Sequence, residues 1–209
     1  MRIGKQKVEL LNPQSYEELT EKIEIAGRVC YQSEPKGDPE KFIRMIIKRG
    51  HESVLEHGSL TFKLRTNRAI ANEIVRHRLA SYSQESTRYV KYDDIEFIPW
   101  VDSENPLLLS ALKTIENHYL MLLNPWEEFG VDKCTPEEAR DILPNATATT
   151  LVMTMNFREL RHFLKLRLDK AAHPQIRELA GMMLEILKEK YPVFVEDIER
   201  WKPLKVWFY

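Results

Sequence analysis

The apolar residues of this chain change period repeatedly along its length, and capping or breaking residues stand at the changes. Residues 5–11 alternate loosely, as a strand does. Ser15 with Glu18 then opens a capping box, and Leu19, Ile23, Ala26 and Cys30 recur on one helical face. After a polar loop over 32–37, Asp38-Pro39 starts a second helix, which carries Phe42, Ile43, Ile46 and Ile47 and stops at Gly50. The stretch HESVLEHG is a tight polar connection, and Leu60, Phe62 and Leu64 then alternate as a half-buried strand. Thr66 or Asn67 caps a helix with apolar positions Ile70, Ala71, Ile74, Val75 and Leu79. Residues 89–100 read as strand-like, and 105–123 as a helix with Leu108, Leu112, Ile115, Tyr119 and Leu122 on one stripe. Thr135-Pro136-Glu137-Glu138 is a second capping box, closed at Pro144. Residues 147–155 form a strand rich in β-branched side chains, and Asn156 caps a helix with Glu159 three positions on. Phe157, Leu160, Leu164 and Leu168 are its spine. A last helix from Pro174 packs through Ile176, Leu179, Met183 and Leu187. The expectation is an α+β fold in a single domain over 1–209, with a mainly antiparallel sheet flanked by helices.

Within this frame the run RHRLASYSQESTR stands out. Two guanidiniums and an imidazole, Arg76-His77-Arg78, precede a dense cluster of short polar side chains, Ser81, Ser83, Gln84, Ser86 and Thr87. Arginine presents a planar fork of donors that matches phosphate and carboxylate oxygens and keeps its charge at any working pH. The hydroxyls and the amide suit a polar ring that must be oriented. On a helix continued to Leu79, Arg76 and Arg78 point about 160° apart, so they serve two ligands or a junction between subunits. A basic tripeptide at a helix end also has a plain reading, since cations there offset the helix dipole.

Charge narrows the partners. Net charge is −1, so no overall basic field recommends a nucleic acid polymer. The positive charge is local: seven Lys/Arg against Glu73 and Glu85 between Lys63 and Lys91, and five against Glu159 and Asp169 between Arg158 and Lys170. Two basic patches in a nearly neutral chain point to small bound anions. Cys30 and Cys134 stand too far apart for a metal or redox motif and read as free thiols. His51 and His57 lack the HExxH spacing, so no metal is expected. Without a signal peptide or a long apolar run, the expected place is the cytoplasm, with no membrane partner.

The spacing Arg-His-Arg, seven residues, then Ser86 resembles the signature of the flavin-dependent thymidylate synthases. Further elements in the same order strengthen the likeness. The segment from His51 to His57 resembles the family's histidine–glutamate segment, and Arg140 with Leu143-Pro144 its Arg-x-x-Leu-Pro element. Asn156-x-Arg158, His162 and Leu166-Arg167 resemble its Asn-x-Arg…Leu-Arg helix. These elements cover about residues 26–170. The chain departs from the family at His162 and Gln84, where other members carry Asn and Glu.

The resemblance implies a homotetramer whose active sites draw on several subunits, each site binding FAD and dUMP. It implies methylation of dUMP to dTMP, with 5,10-methylenetetrahydrofolate as carbon donor and NADPH as reductant through the flavin. By family position, FAD meets His51, Ser53, Glu56, Arg76, His77, Arg78, Gln84, Asn156, Phe157, Arg158 and His162. The nucleotide meets Glu73, Ile74, Val75, Arg76, Gln84, Glu85, Ser86, Thr87, Arg88, Arg140 and Arg167, the last of these being catalytic. A guanidinium beside the pyrimidine N3 and carbonyl favours their anionic form and raises electron density at C5. With no GxGxxG in the chain, FAD has no Rossmann turn to sit in. Two other readings compete: a different nucleotide-binding flavoprotein, which the intact signature disfavours, and an RNA-binding or regulatory module built on the basic helix, which the net charge disfavours. A cofactor-free thymidylate synthase needs a cysteine nucleophile, and neither cysteine lies in a motif that serves.

Overall fold

The computed structural model describes residues 1–198, so residues 199–209 of the expected 1–209 domain lie outside the described part. It opens with β1 (Arg2–Ile3) and β2 (Lys7–Leu10), followed by helices α1 (Tyr16–Tyr31) and α2 (Pro39–Lys48). A 3-10 turn at Glu52–His57 leads into β3 (Ser59–Asn67), α3 (Arg68–Ile74), β4 (Ala80–Gln84) and β5 (Glu96–Phe97). Then come α4 (Pro106–Leu123), α5 (Pro136–Ala139), β6 (Ala148–Asn156), α6 (Phe157–Arg167) and α7 (Pro174–Lys190). The fold is α+β.

Strands β2, β3, β6 and β4 form one sheet in that order, while β1 pairs in parallel with β5. Facing pairs give the direction of two ladders. Thr61 meets Thr154 and Arg65 meets Thr150, so numbers fall along β6 as they rise along β3, the antiparallel register. Leu11 with Thr61 and Gln6 with Thr66 show the same for the chain around β2 against β3.

Caps fix the helix starts where the sequence predicts them. Asn156 Oδ1 accepts from the Glu159 N–H at 2.9 Å, and Asn67 Oδ1 from the Ile70 N–H at 2.9 Å. The Thr135 box is complete in both directions. At Ser15 one half of the predicted box forms, the hydroxyl accepting from the Glu18 N–H at 3.3 Å while donating to Glu17 at 3.1 Å.

The structure departs from expectation in four places. The helix read as running to Leu79 ends at Ile74, so Arg76, His77 and Arg78 lie in the turn beyond it, and Leu79 is 68% exposed. The angular argument for opposed arginines on one helix therefore falls. Residues 89–100 hold only the two-residue β5, because side chains anchor that stretch: Glu116 accepts the Ile95 N–H at 3.0 Å, and the Tyr92 hydroxyl donates to Glu85. The first part of the polar run after Leu79, to which the sequence pattern assigns no element, is strand β4. Cys30 is exposed, because the buried face of α1 continues through Gly27, where a side chain would overlap the ring of Phe42.

The described residues gather into two compact units interleaved in sequence. The first comprises Met1–Lys7, Leu64–Ile74 and Ser83–Leu151. Its core is Ile95, Phe97, Leu112, Tyr119, Leu123 and Ala139. The second comprises Val8–Lys63, Val75–Tyr82 and the chain from Val152 onward. There Leu19, Ile23, Ile43 and Ile46 are buried where α1 packs on α2, and α2 also meets the 3-10 turn at Pro192–Phe194. Phe157 is fully buried and stacks on Phe194 at 4.1 Å between centroids. Cys30 and Cys134 are both free, and among the described residues no helix is long and apolar enough to cross a membrane.

Candidate active site

The second unit brings together the signature turn, helix α6 and the 3-10 turn at Glu52–His57. Glu159, His162, Phe163 and Arg167 recur at spacings of three and four, which put them on one face of α6. His77 meets that face. Its Nδ1 lies 2.9 Å from Glu159 Oε1, and its Nε2 accepts from the Arg167 Nε–H at 3.0 Å. The ring packs edge-on against Phe163 at 4.9 Å and lies 5.8 Å from the ring of His162. Only 4% of the His77 side chain and 8% of Glu159 reach solvent.

These contacts settle the tautomer. A guanidinium has donors only, so the nitrogen facing Arg167 is the bare one and the proton sits on Nδ1, where it donates to the Glu159 carboxylate. Burial lowers the His77 pKa below its ordinary 6.5; Glu159 opposes the shift, and Arg167 and His162 add to it. The ring is neutral at neutral pH. Tyr82, on β4, donates its hydroxyl to the His77 carbonyl at 2.8 Å. Burial and the neighbouring Glu159 push the Tyr82 pKa up to about 12, so it stays a donor.

On either side of this buried imidazole, Arg76 and Arg78 are exposed and make no side-chain hydrogen bond or ion pair among the described residues. His51, Ser53, Glu56 and His162 are also exposed. Arg158 donates to Glu56 at 2.6 Å, which ties the start of α6 to the 3-10 turn. Asn156 spends its side-chain oxygen on the cap. The Phe157 ring belongs to the core, and its N–H donates to the Gly58 carbonyl at 3.0 Å. His77, Glu159 and His162 place potential metal ligands within 4.8 Å of one another. The set does not suit a cation, because both His77 nitrogens are engaged and one of them faces the positive charge of Arg167.

The first unit holds the other predicted residues except Val75, which begins a segment of the second. Gln84 donates to the Thr149 hydroxyl at 3.3 Å, and the Glu85 N–H to the Thr150 carbonyl at 2.9 Å. Glu85 also pairs with Arg65 at 3.3 Å, and Arg65 with Glu96 at 2.6 Å. Ser86 starts a turn: its carbonyl accepts from Tyr89 and Val90, and its hydroxyl from the Arg88 N–H. Thr87 is buried. Arg88 and Arg140 converge on one carboxylate, Glu137, at 2.7 and 3.9 Å. At the end of α3, Glu73 and Val75 are half-buried and the Ile74 side chain is in the core. Arg167 lies in the second unit and Arg140 in the first.

The residues missed by sequence reading are Glu159 and Tyr82, which orient His77, and Arg68. The Arg68 Nη1 is buried with no partner among the described residues, a donor left over in the first basic patch. Arg161, counted only as a basic residue, is buried and holds Asp197 through two bonds at 2.6 and 2.7 Å. A cavity of about 590 Å³ in the first unit, lined by His118, Met121, Phe129, Cys134 and Ile142, is almost wholly apolar. It contains none of the predicted ligand residues, so the chemistry belongs with the charged clusters instead.

Comparison with known proteins places most of the chain against one family. A family model described as thymidylate synthase complementing protein matches residues 14–193. The flavin-dependent thymidylate synthase of Corynebacterium diphtheriae is 37% identical over 196 residues, covering 85% of this chain and 78% of that protein. That of Thermococcus onnurineus is 40% identical over 174 residues, covering 80% and 69%. Among solved structures, the UMP/dUMP methylase PolB of Streptomyces cacaoi bound with 5-Br UMP aligns with a TM-score of 0.74. It is 25% identical, with 93% of this chain and 94% of that chain covered. A match of that extent, with relatives of that identity, makes this chain a member of the flavin-dependent thymidylate synthase family.

Proposed function

We propose that this chain, as one domain over 1–209, methylates dUMP to dTMP with 5,10-methylenetetrahydrofolate as carbon donor, NADPH as reductant and FAD as cofactor. The observation that carries the reading is the pair Arg76 and Arg78, exposed without an ion-pair partner among the described residues on either side of a buried, neutral His77. These two guanidiniums, taken with the exposed His51, Ser53, Arg158 and His162, supply the kind of donors that the phosphates of a dinucleotide require. Glu56, His77, Gln84, Asn156 and Phe157 complete the flavin set. The flavin, when bound, carries reducing equivalents from NADPH to the carbon being transferred.

The chain's own residues bind and polarise. Gln84 through Arg88, with Arg140, anchor the nucleotide, and Glu73 through Arg76 line it. Arg88 and Arg140 already share the Glu137 carboxylate, which supports reading them as a pair that one anion bridges. Arg167 sets its guanidinium against the uracil carbonyl and N3, where negative charge grows as C5 becomes nucleophilic. Ser86 orients the base and is not a covalent nucleophile. The homotetramer and the cytoplasmic location belong to the same proposal; with α3 ending at Ile74, the tetramer rests on family membership alone.

An absorption spectrum of the purified protein, with a flavin titration and sedimentation, tests the reading. The expected results are bound oxidised FAD at one per chain and a tetramer. A colourless protein that leaves flavin fluorescence unchanged overturns it.

A further inference from the structure

Arg167 is the residue on which the proposed chemistry depends, and it is not left to find its own orientation. Its Nε–H is spent on His77 Nε2 at 3.0 Å. That nitrogen is an acceptor only because the other one, 2.9 Å from Glu159, carries the proton. Glu159 is placed in turn by the Asn156 cap, which fixes its backbone at the first turn of α6. We propose that Glu159 and His77 are positioning residues for Arg167: the carboxylate fixes the imidazole tautomer, the imidazole holds the guanidinium by Nε, and protonation of His77 releases it. This rests on the reading of Arg167 as the group that polarises the uracil ring.

The chemistry is reciprocal. A protonated His77 carries N–H on both nitrogens, so it offers Arg167 a donor and a like charge where it had offered a lone pair. The charged and titratable groups facing the ring are Glu159, Arg167 and His162 from α6 and Tyr82 from β4. Glu159 is the one that favours the imidazolium, whereas Arg167, His162 and burial oppose it. Turnover at saturating dUMP should therefore fall on the acid side as His77 takes up its proton.

The test uses the flavin-loaded enzyme, with three readouts: turnover against pH at saturating dUMP, flavin reduction by NADPH, and the 15N spectrum of His77 in the full chain. Glu159→Gln keeps an acceptor for Nδ1–H but removes the charge that favours the imidazolium. It should retain turnover within roughly threefold and move the acid limb to lower pH. Glu159→Ala removes the acceptor and should lower turnover by roughly tenfold or more, with flavin reduction and the dUMP requirement little changed. The wild-type spectrum should show the proton on Nδ1, and His77, not His162, should titrate with the acid limb.

A purely structural role would move neither the limb nor the tautomer. An acid limb identical in wild type and Glu159→Gln overturns the inference, as does a His77 proton on Nε2. If Glu159→Ala does not fold, the glutamine profile and the wild-type spectrum still decide. Parental turnover in Arg167→Ala would instead break the underlying reading. An impaired Arg167→Ala beside an unimpaired Glu159→Ala would break this inference alone.

Discussion

Two clusters of charge carry the proposed chemistry, and they are built in opposite ways. The Glu159–His77–Arg167 chain is nearly sealed from solvent at its centre, and each member has a neighbour that fixes which atom donates. The Arg88–Glu137–Arg140 cluster lies at the surface, with side chains from 38 to 50% exposed. In a buried network an unmet donor or acceptor keeps its full desolvation penalty, so geometry is tightly fixed. At the surface, water competes for every bond and a carboxylate holding two arginines is easily exchanged for another anion. The first arrangement suits a group that must act on a ring at a set angle. The second suits one that must accept and release a phosphate.

The largest effect that sharpens this contrast should come from Arg167→Ala. Losing a charge-assisted hydrogen bond at the reacting ring should depress turnover at saturating dUMP by about 10- to 150-fold. Flavin reduction by NADPH should survive, and lysine at 167 should rescue only partly because it lacks the fork. Steady-state assays of the three enzymes check this. Arg140→Ala should shift the loss from turnover to binding, raising the dUMP requirement by about tenfold while leaving most of the saturated rate. Equal losses of saturated rate in both variants would erase the distinction between the clusters.

Smaller effects follow in stability. A histidine held neutral in the fold binds fewer protons than in the unfolded chain, so folding stability is fully present above the ordinary pKa of 6.5 and declines as pH falls below it. Urea denaturation of the wild type between neutral and mildly acid pH should show this decline, and His77→Asn should flatten it. The smallest change is expected at the surface. A double-mutant cycle on Arg88 and Glu137 should give a coupling energy below about 1 kcal/mol that shrinks with added salt. A coupling as large as that of a buried pair would mean that the surface cluster is as fixed as the interior one.

Much of this was legible in the chain because caps and periods are local. Asn156, Asn67 and Thr135 each announce a helix start by a bond that spans three residues, and the structure makes all three. What was not legible depends on distance in sequence. The end of α3 is one case: Ile70, Ala71, Ile74, Val75 and Leu79 keep a helical period, yet the chain turns after Ile74 and carries His77 to a carboxylate 82 positions away. Glu159 is another. Its place three residues after a capping Asn accounts for it fully in local terms, which hides its bond to the imidazole. Strand β4 escaped because ASYSQ has no apolar face, and its alternation appears only as alternating exposure.

The interleaving of the two units has a consequence for how the chain is made. The second unit needs Val8–Lys63 at one end and the chain from Val152 at the other. During synthesis, Leu19, Ile23, Ile43 and Ile46 therefore emerge long before the residues from Val152 onward, which complete their unit and include the turn at Pro192–Phe194 that α2 packs against. Nascent α1 and α2 are left as a sticky, half-finished layer while Leu64–Ile74 and Ser83–Leu151 of the other unit are translated, a delay of seconds at ordinary elongation rates. Early termination in β6 would release a fragment with most of one unit and an uncovered half of the other, a ready client for a chaperone.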